Sequence, residues 1–298
     1  MATPSRGVPA LALDIETASP DARPGRGEFD DTAYFELVAV GLGYRAAPDA
    51  SPETTVLFRR GDWAPAWTAD LLERALSWCE ARPADRLVTY NGSRFDLVHL
   101  RAWADEAASA GLLPDARERL DAATAGRVDL APVAAERFRD RLGDRYPYLP
   151  FDRACAWAGV ETRPTRYDDY GIDPEVRDGW DVAGEVVEGR HVGIALGEAY
   201  VESVAAGLDG TRTFAALESL LTDYAERDVA PLFDLDAALG RPVGSGGSGG
   251  PDGSAGSDES DQHDDSDARF DGGTERGSNG DHGRCLERVW GHATGSGV

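Results

Sequence analysis

The sequence predicts an α/β layer fold, a mixed five-stranded sheet with helices on both sides, over residues 1–241. Three observations lead there. Short β-rich segments are separated by loops holding Pro, Gly and Asp. From residue 68 onward such segments alternate with amphipathic helix patterns. Apolar periodicity then ends at Gly240. Strands first, then helix–strand–helix–strand–helix, is the order of a sheet with both parallel and antiparallel pairs.

Residues 9–15 (PALALDI), 36–44 (ELVAVGLGY) and 54–60 (TTVLFRR) read as the first three strands. Residues 68–81 form a helix pattern with Leu71, Leu72, Ala75, Leu76 and Cys79 on one side. RLVTY (86–90) is the fourth strand, followed by a helix over 95–111 that ends at Gly111. RVDLA (127–131) is the fifth, followed by a helix over 132–143. A short helix is expected within 146–160, and residues 161–182 are loop-rich. Residues 193–207 and 211–239 read as helices. Residues 242–298 form a Gly/Ser/Asp-rich acidic tail, expected to be disordered because it lacks the apolar residues to offset its ordering entropy. Its last residues place Leu286, Val289 and Trp290 like one amphipathic turn.

The chain of 298 residues carries a net charge of −24, and all 30 of its basic residues are arginine. An acidic surface argues against a polyanionic partner in dilute buffer. That argument fades in concentrated salt, where the Debye length falls to about 3 Å at 1 M. Abundant Asp and Glu without Lys resembles the composition of proteins from salt-loving microbes, in which charge reports the solvent more than the substrate. Cys79, Cys155 and Cys285 are odd in number and widely spaced, which argues for idle thiols in a reducing compartment rather than a disulfide framework or zinc site. With no apolar run of about 18 residues and no signal-peptide core, no membrane association and a cytoplasmic location are expected.

The candidate chemistry lies in three stretches. In LALDIETAS, Asp14 and Glu16 are two residues apart in a strand and so share one face, while Leu13 and Ile15 point to the other. Two carboxylates held together want a cation between them, although a solvated edge-strand face would also accommodate them. In VTYNGSRFDLVHL, a strand runs into the turn pair Asn91-Gly92 and Asp96 opens a helix. Turn and cap roles suit both residues, but the C-terminal end of a central strand is also where α/β sheets open their sites. In LLTDYAERDVAPLFDL, Tyr224 and Asp228 share a helix face at i and i+4; a solvated face is the alternative. If these elements converge, Asp14, Glu16, Asp96 and Asp228 form an oxygen-only site. Such a site suits Mg²⁺ or Mn²⁺, two ions of which can drive phosphodiester hydrolysis.

DIE, then NGxxFD, then YxxxD, in that order, resembles the DEDD superfamily of 3′–5′ exonucleases on a ribonuclease H-like fold, over residues 8–240. YNGSRFDLVHL is similar to the second motif of family-B DNA polymerase proofreading domains, and YAERDVAPL to the third motif of stand-alone YprB-like ribonuclease H-like proteins. The position of the histidine subclass's histidine is held by Asp223, so the resemblance is to the tyrosine subclass. It implies a 3′–5′ exonuclease in which Asp14, Glu16, Asp96 and Asp228 bind two Mg²⁺ or Mn²⁺ ions and Tyr224 orients the attacking water. Single-stranded DNA or RNA would be the substrate, with Asn91 shaping the loop near the terminal nucleotide. Beside the motifs, Thr17 is a candidate substrate contact, Arg94 either touches a phosphate or is solvated, and a helicase or polymerase is a candidate protein partner. Asp129 would support the ligands or serve the fold. A non-catalytic nucleic-acid-binding or adaptor module retaining the fold is the alternative. Outside the motifs, His99 reads as structural, and Tyr167, Tyr170 and Trp180 either stack on bases or anchor their loop.

Overall fold

Five strands form one sheet in the computed structural model, which describes residues 9–25, 27–142 and 149–240. They are β1 (Ala10–Ala18), β2 (Glu36–Arg45), β3 (Glu53–Phe58), β4 (Arg86–Thr89) and β5 (Arg127–Asp129). The order across the sheet is β3-β2-β1-β4-β5. β2 runs antiparallel to both β1 and β3, whereas β4 and β5 are parallel to β1. This mixed sheet fits the ribonuclease H-like arrangement that the motifs imply. All described residues belong to the first of the chain's two units, Met1–Gly240; the expected disordered tail and Cys285 lie outside them. Among the described residues, no helix is long and apolar enough to cross a membrane.

The helices are α1 (Pro65–Glu80), α2 (Asp96–Ser109), α3 (Ala116–Ala123), α4 (Leu130–Arg137), α5 (Arg139–Leu142) and α6 (Phe151–Ala158). They continue with α7 (Pro174–Gly179), α8 (Gly189–His191), α9 (Gly197–Ala205), α10 (Arg212–Val229) and α11 (Leu232–Leu239). Strand alternation sorts the core into two layers. Leu11, Leu13 and Ile15 pack with α1, α2 and α3 on one face of the sheet. Ala10 and Ala12 pack on the other, against α4, α6 and α11 and the end of α10. Asp14 and Glu16 continue this second row.

Several details depart from the sequence reading, among them the split of the helix expected over 132–143 into α4 and α5. α3 was not expected: only Ala116 and Leu120 of its eight residues are buried, so its apolar pattern is faint. β5 stops at Asp129, whose side chain accepts from the Ala131 N–H at 3.1 Å and starts α4 there, so Leu130 and Ala131 are helical. The long C-terminal helix breaks in two around Pro231, which cannot continue the hydrogen-bond ladder. The loop-rich stretch contains the helical turn Tyr167–Tyr170 and α7.

α10 crosses β1, β2 and β3, and two glycines set how closely. A Cβ on Gly41 would lie 2.9 Å from Val229 Cγ2, and one on Gly43 2.9 Å from both Val229 Cγ1 and Phe233 Cε2. Gly41 pairs with Asp14 across the β1–β2 ladder. The bare backbone beside Asp14 therefore gives α10 its seat. Arg86 fixes α11 through a bidentate pair with Asp236 at 2.8 and 2.9 Å. Gly43→Val is expected to destabilise the domain by about 1–3 kcal/mol through overpacking, read as a lower urea midpoint at unchanged slope.

Candidate metal centre

β4 ends at Thr89 while β1 runs on to Ala18, so the C-terminal part of β1 loses its parallel neighbour. The Ile15 N–H there draws the Asp14 and Asp96 carboxyls downward in part, against their burial. Asp96 comes near it because the chain leaves β4 through Asn91, held at φ 63°, a left-handed conformation that asparagine tolerates. Asp129 fixes this turn, accepting from the Asn91 N–H at 2.8 Å and the Ser93 N–H at 3.0 Å. It supports the turn through its own carboxylate while also capping α4. Asp96 then opens α2, 3% exposed. One strand over, the β1–β2 pairing slips between Glu16 and Thr17, a bulge of the kind that re-aims side chains beside functional sites.

α10 delivers the remaining groups. Asp14, Glu16 and Asp228 each place a carboxylate oxygen within 4.8 Å of the others'. Tyr224 lies one turn before Asp228, and its hydroxyl favours the ionised form of that carboxyl. Glu16 is 7% exposed, and its Oε1 is buried with no hydrogen-bond partner. An orphaned buried carboxylate oxygen inside a ring of carboxylates is unfavourable unless something cationic meets it. The donors are all oxygens, so the residues fit a hard divalent cation.

The electrostatics agree. Burial, then Asp96, holds the Asp14 carboxyl well above the usual carboxylate range. Burial, then Asp14, Asp228 and Asp96, does the same to Glu16. Burial, then Asp14 and Asp152, raises Asp228. Asp96 is pushed up to about 7 by burial and by Asp129. Burial and the charge of Glu16 push the Tyr224 hydroxyl far upward, so it stays protonated. These carboxyls titrate higher in the folded chain than in the unfolded one. The folded state therefore holds extra protons between the two values and loses stability as pH rises through the folded one. For Asp96 that window runs from about 4 to about 7. In chelator and molar KCl, which screens the general surface charge, the protein is expected to melt several degrees higher at pH 5 than at pH 8. Mn²⁺ at pH 8 should recover the difference; a flat profile would show that the carboxyls are not held together.

Of the other candidates, Thr17 is buried directly after Glu16, Asn91 is half-buried in the turn, and Arg94 is exposed two residues before Asp96. His99 is fully buried, its nitrogens 2.8 Å from Thr32 Oγ1 and 3.0 Å from the Phe29 carbonyl. Tyr167 and Trp180 are buried, so they anchor their loop. Burial pushes the thiols of Cys79 and Cys155 up to about 12, which makes them inert. The sequence reading missed Asp152, an exposed carboxylate in the first turn of α6 whose charge reaches both Asp228 and Tyr224. A lone Asp after a proline looks like any helix start, so no local signal marked it.

No protein-family model and no curated protein matches this chain. Solved structures similar to it include the family B DNA polymerase from the hyperthermophilic archaeon Pyrobaculum calidifontis, at 20% identity and a TM-score of 0.35. The match covers 79% of this chain but only 27% of the polymerase. So distant a likeness carries no residue's role across.

Proposed function

We propose that this chain is a metal-dependent nuclease, a 3′–5′ exonuclease hydrolysing phosphodiester bonds at single-stranded DNA or RNA ends, with residues 1–241 as its domain. One observation carries the reading: three carboxylates from β1 and α10 meet within 4.8 Å around the unpartnered Glu16 Oε1. Asp96 from a third segment adds its charge to theirs. Ion pairing is the ordinary reason to bury a carboxylate, yet the strongest charges acting on these four are other carboxylates.

Asp14, Glu16, Asp96 and Asp228 would hold two Mg²⁺ or Mn²⁺ ions. Such ions, when bound, make water a nucleophile at neutral pH and neutralise charge on the phosphate. The protein's own groups do the rest. Tyr224 cannot be a base, because its hydroxyl stays protonated; beside Asp228, it orients the attacking water. The Asn91 turn shapes the floor under the terminal nucleotide, Arg94 offers a guanidinium to a phosphate, and Thr17 lines the end of β1. The test is degradation of end-labelled single-stranded DNA and RNA with Mg²⁺ or Mn²⁺ in molar KCl. Mononucleotides released stepwise from the 3′ end are expected. Binding without cleavage of either polymer would overturn the reading.

A further inference from the structure

Residues 161–193 match none of the three motifs, yet they brace both elements that carry the site. A short antiparallel ladder ties the segment to itself: the Tyr167 N–H donates to the Glu185 carbonyl at 3.1 Å and the Val187 N–H to the Thr165 carbonyl at 2.8 Å. The ladder is fastened to α10 on either side of Tyr224. Tyr170 donates its hydroxyl to Asp223 Oδ2 at 2.7 Å, and Arg227 Nη1 donates to Thr165 Oγ1 at 2.9 Å. The segment's far end reaches the residue that follows β1, where the Ser19 N–H donates to the Gly193 carbonyl at 3.0 Å.

Between these fastenings lies the turn Glu188–His191. His191 is 3% exposed. Its Nδ1 lies 2.9 Å from the Tyr167 hydroxyl and accepts from the Glu188 N–H at 3.3 Å. Two donors on one nitrogen require the neutral ring with its proton on Nε2. Inside this turn, Gly189 faces Tyr224. A Cβ on Gly189 would meet a single heavy atom within 4 Å, the Tyr224 hydroxyl oxygen, at 3.3 Å. Gly189 does not occupy the left-handed region, so its glycine is not explained by backbone conformation. What a side chain would meet there is the tyrosine's hydroxyl.

Resting on the nuclease reading above, we propose that Gly189, held by the Tyr167–His191 pair, is a positioning residue that sets where the Tyr224 hydroxyl sits and keeps the space beside it free. A methyl group there would shift the hydroxyl by a few tenths of an ångström or occupy the room of the water it orients. Misplacement by about 1 Å costs roughly a hundredfold in rate, and a smaller shift correspondingly less.

The test is a double-mutant cycle on the full chain in Mn²⁺. Gly189→Ala is expected to lower kcat about tenfold, with KM and Mn²⁺ affinity unchanged. Its melting temperature should hold or rise, since alanine reduces the freedom of the unfolded chain. In a Tyr224→Phe background, which lacks the hydroxyl, Gly189→Ala should have no further effect. Tyr167→Phe, which releases His191, should lower kcat in the wild-type background and not in the Tyr224→Phe one. Wild-type rates in Gly189→Ala, equal losses in both backgrounds, or a loss confined to KM would each overturn the inference. With an active wild type, those results sink this inference alone; a wild type that cleaves neither DNA nor RNA overturns the nuclease reading and this inference with it.

Discussion

Asp14→Ala and Asp228→Ala are each expected to reduce hydrolysis at least about a thousandfold while leaving the fold intact. Even groups that only hydrogen-bond to metal ligands are worth about ten- to a hundredfold, and these two carboxylates are themselves the proposed ligands. The loss should appear with no loss of stability. Asp14 lies beside Asp96 and Glu16, and Asp228 beside Asp14 and Asp152, so removing either relieves repulsion among buried like charges. In chelator at pH 8 both variants should melt at or above the wild-type temperature, and the stabilisation that Mn²⁺ gives wild type should shrink in both. Activity above a few per cent in either variant would contradict their assignment. Precipitation would show instead that the pair serves the fold.

Tyr224→Phe is expected to slow the single-turnover rate by roughly ten- to a thousandfold, the range for losing one positioning contact, with Mn²⁺ affinity nearly unchanged. The substitution keeps the ring, and with it the packing of α10, and deletes only the hydroxyl. Because burial keeps that hydroxyl protonated across the working range, its loss should not displace the pH profile through any titration of its own. Asp228 loses a hydroxyl that favours its ionised form, so the apo protein should bind protons slightly more readily at that site. A variant as fast as wild type, beside an inactive Asp228→Ala, would reduce Tyr224 to a packing residue.

Much of the site was legible because its signals are local. The i, i+2 spacing of Asp14 and Glu16 fixes a shared face once β1 is a strand, and the i, i+4 spacing of Tyr224 and Asp228 does the same on α10. What brings the two pairs together is the approach of α10 to the sheet. Its signal was present as two glycines, Gly41 and Gly43, spaced i, i+2 within an otherwise apolar strand, where a missing side chain marks a close neighbour. The role of Asp129 was half-visible: the sequence left it supporting the ligands or serving the fold, and its two tasks, capping α4 and holding the turn at Asn91 and Ser93, depend on where β5 stops and on β4 and β5 being adjacent and parallel. Asp152 and Gly189 carried no local signal at all. Their relation to Asp228 and Tyr224 exists only after residues from 152 to 228 have folded together. The same limit hid α3, whose largely polar sequence is helical through its packing against α1 and α2.

The most direct measurement is the anomalous diffraction of crystals soaked in Mn²⁺. Two peaks about 4 Å apart, ringed by Asp14, Glu16, Asp96 and Asp228, with Glu16 Oε1 bound to one of them, are predicted. No peak at the carboxylates under millimolar Mn²⁺, with Glu16 Oε1 still without a partner, would contradict a metal centre and with it the proposed hydrolysis.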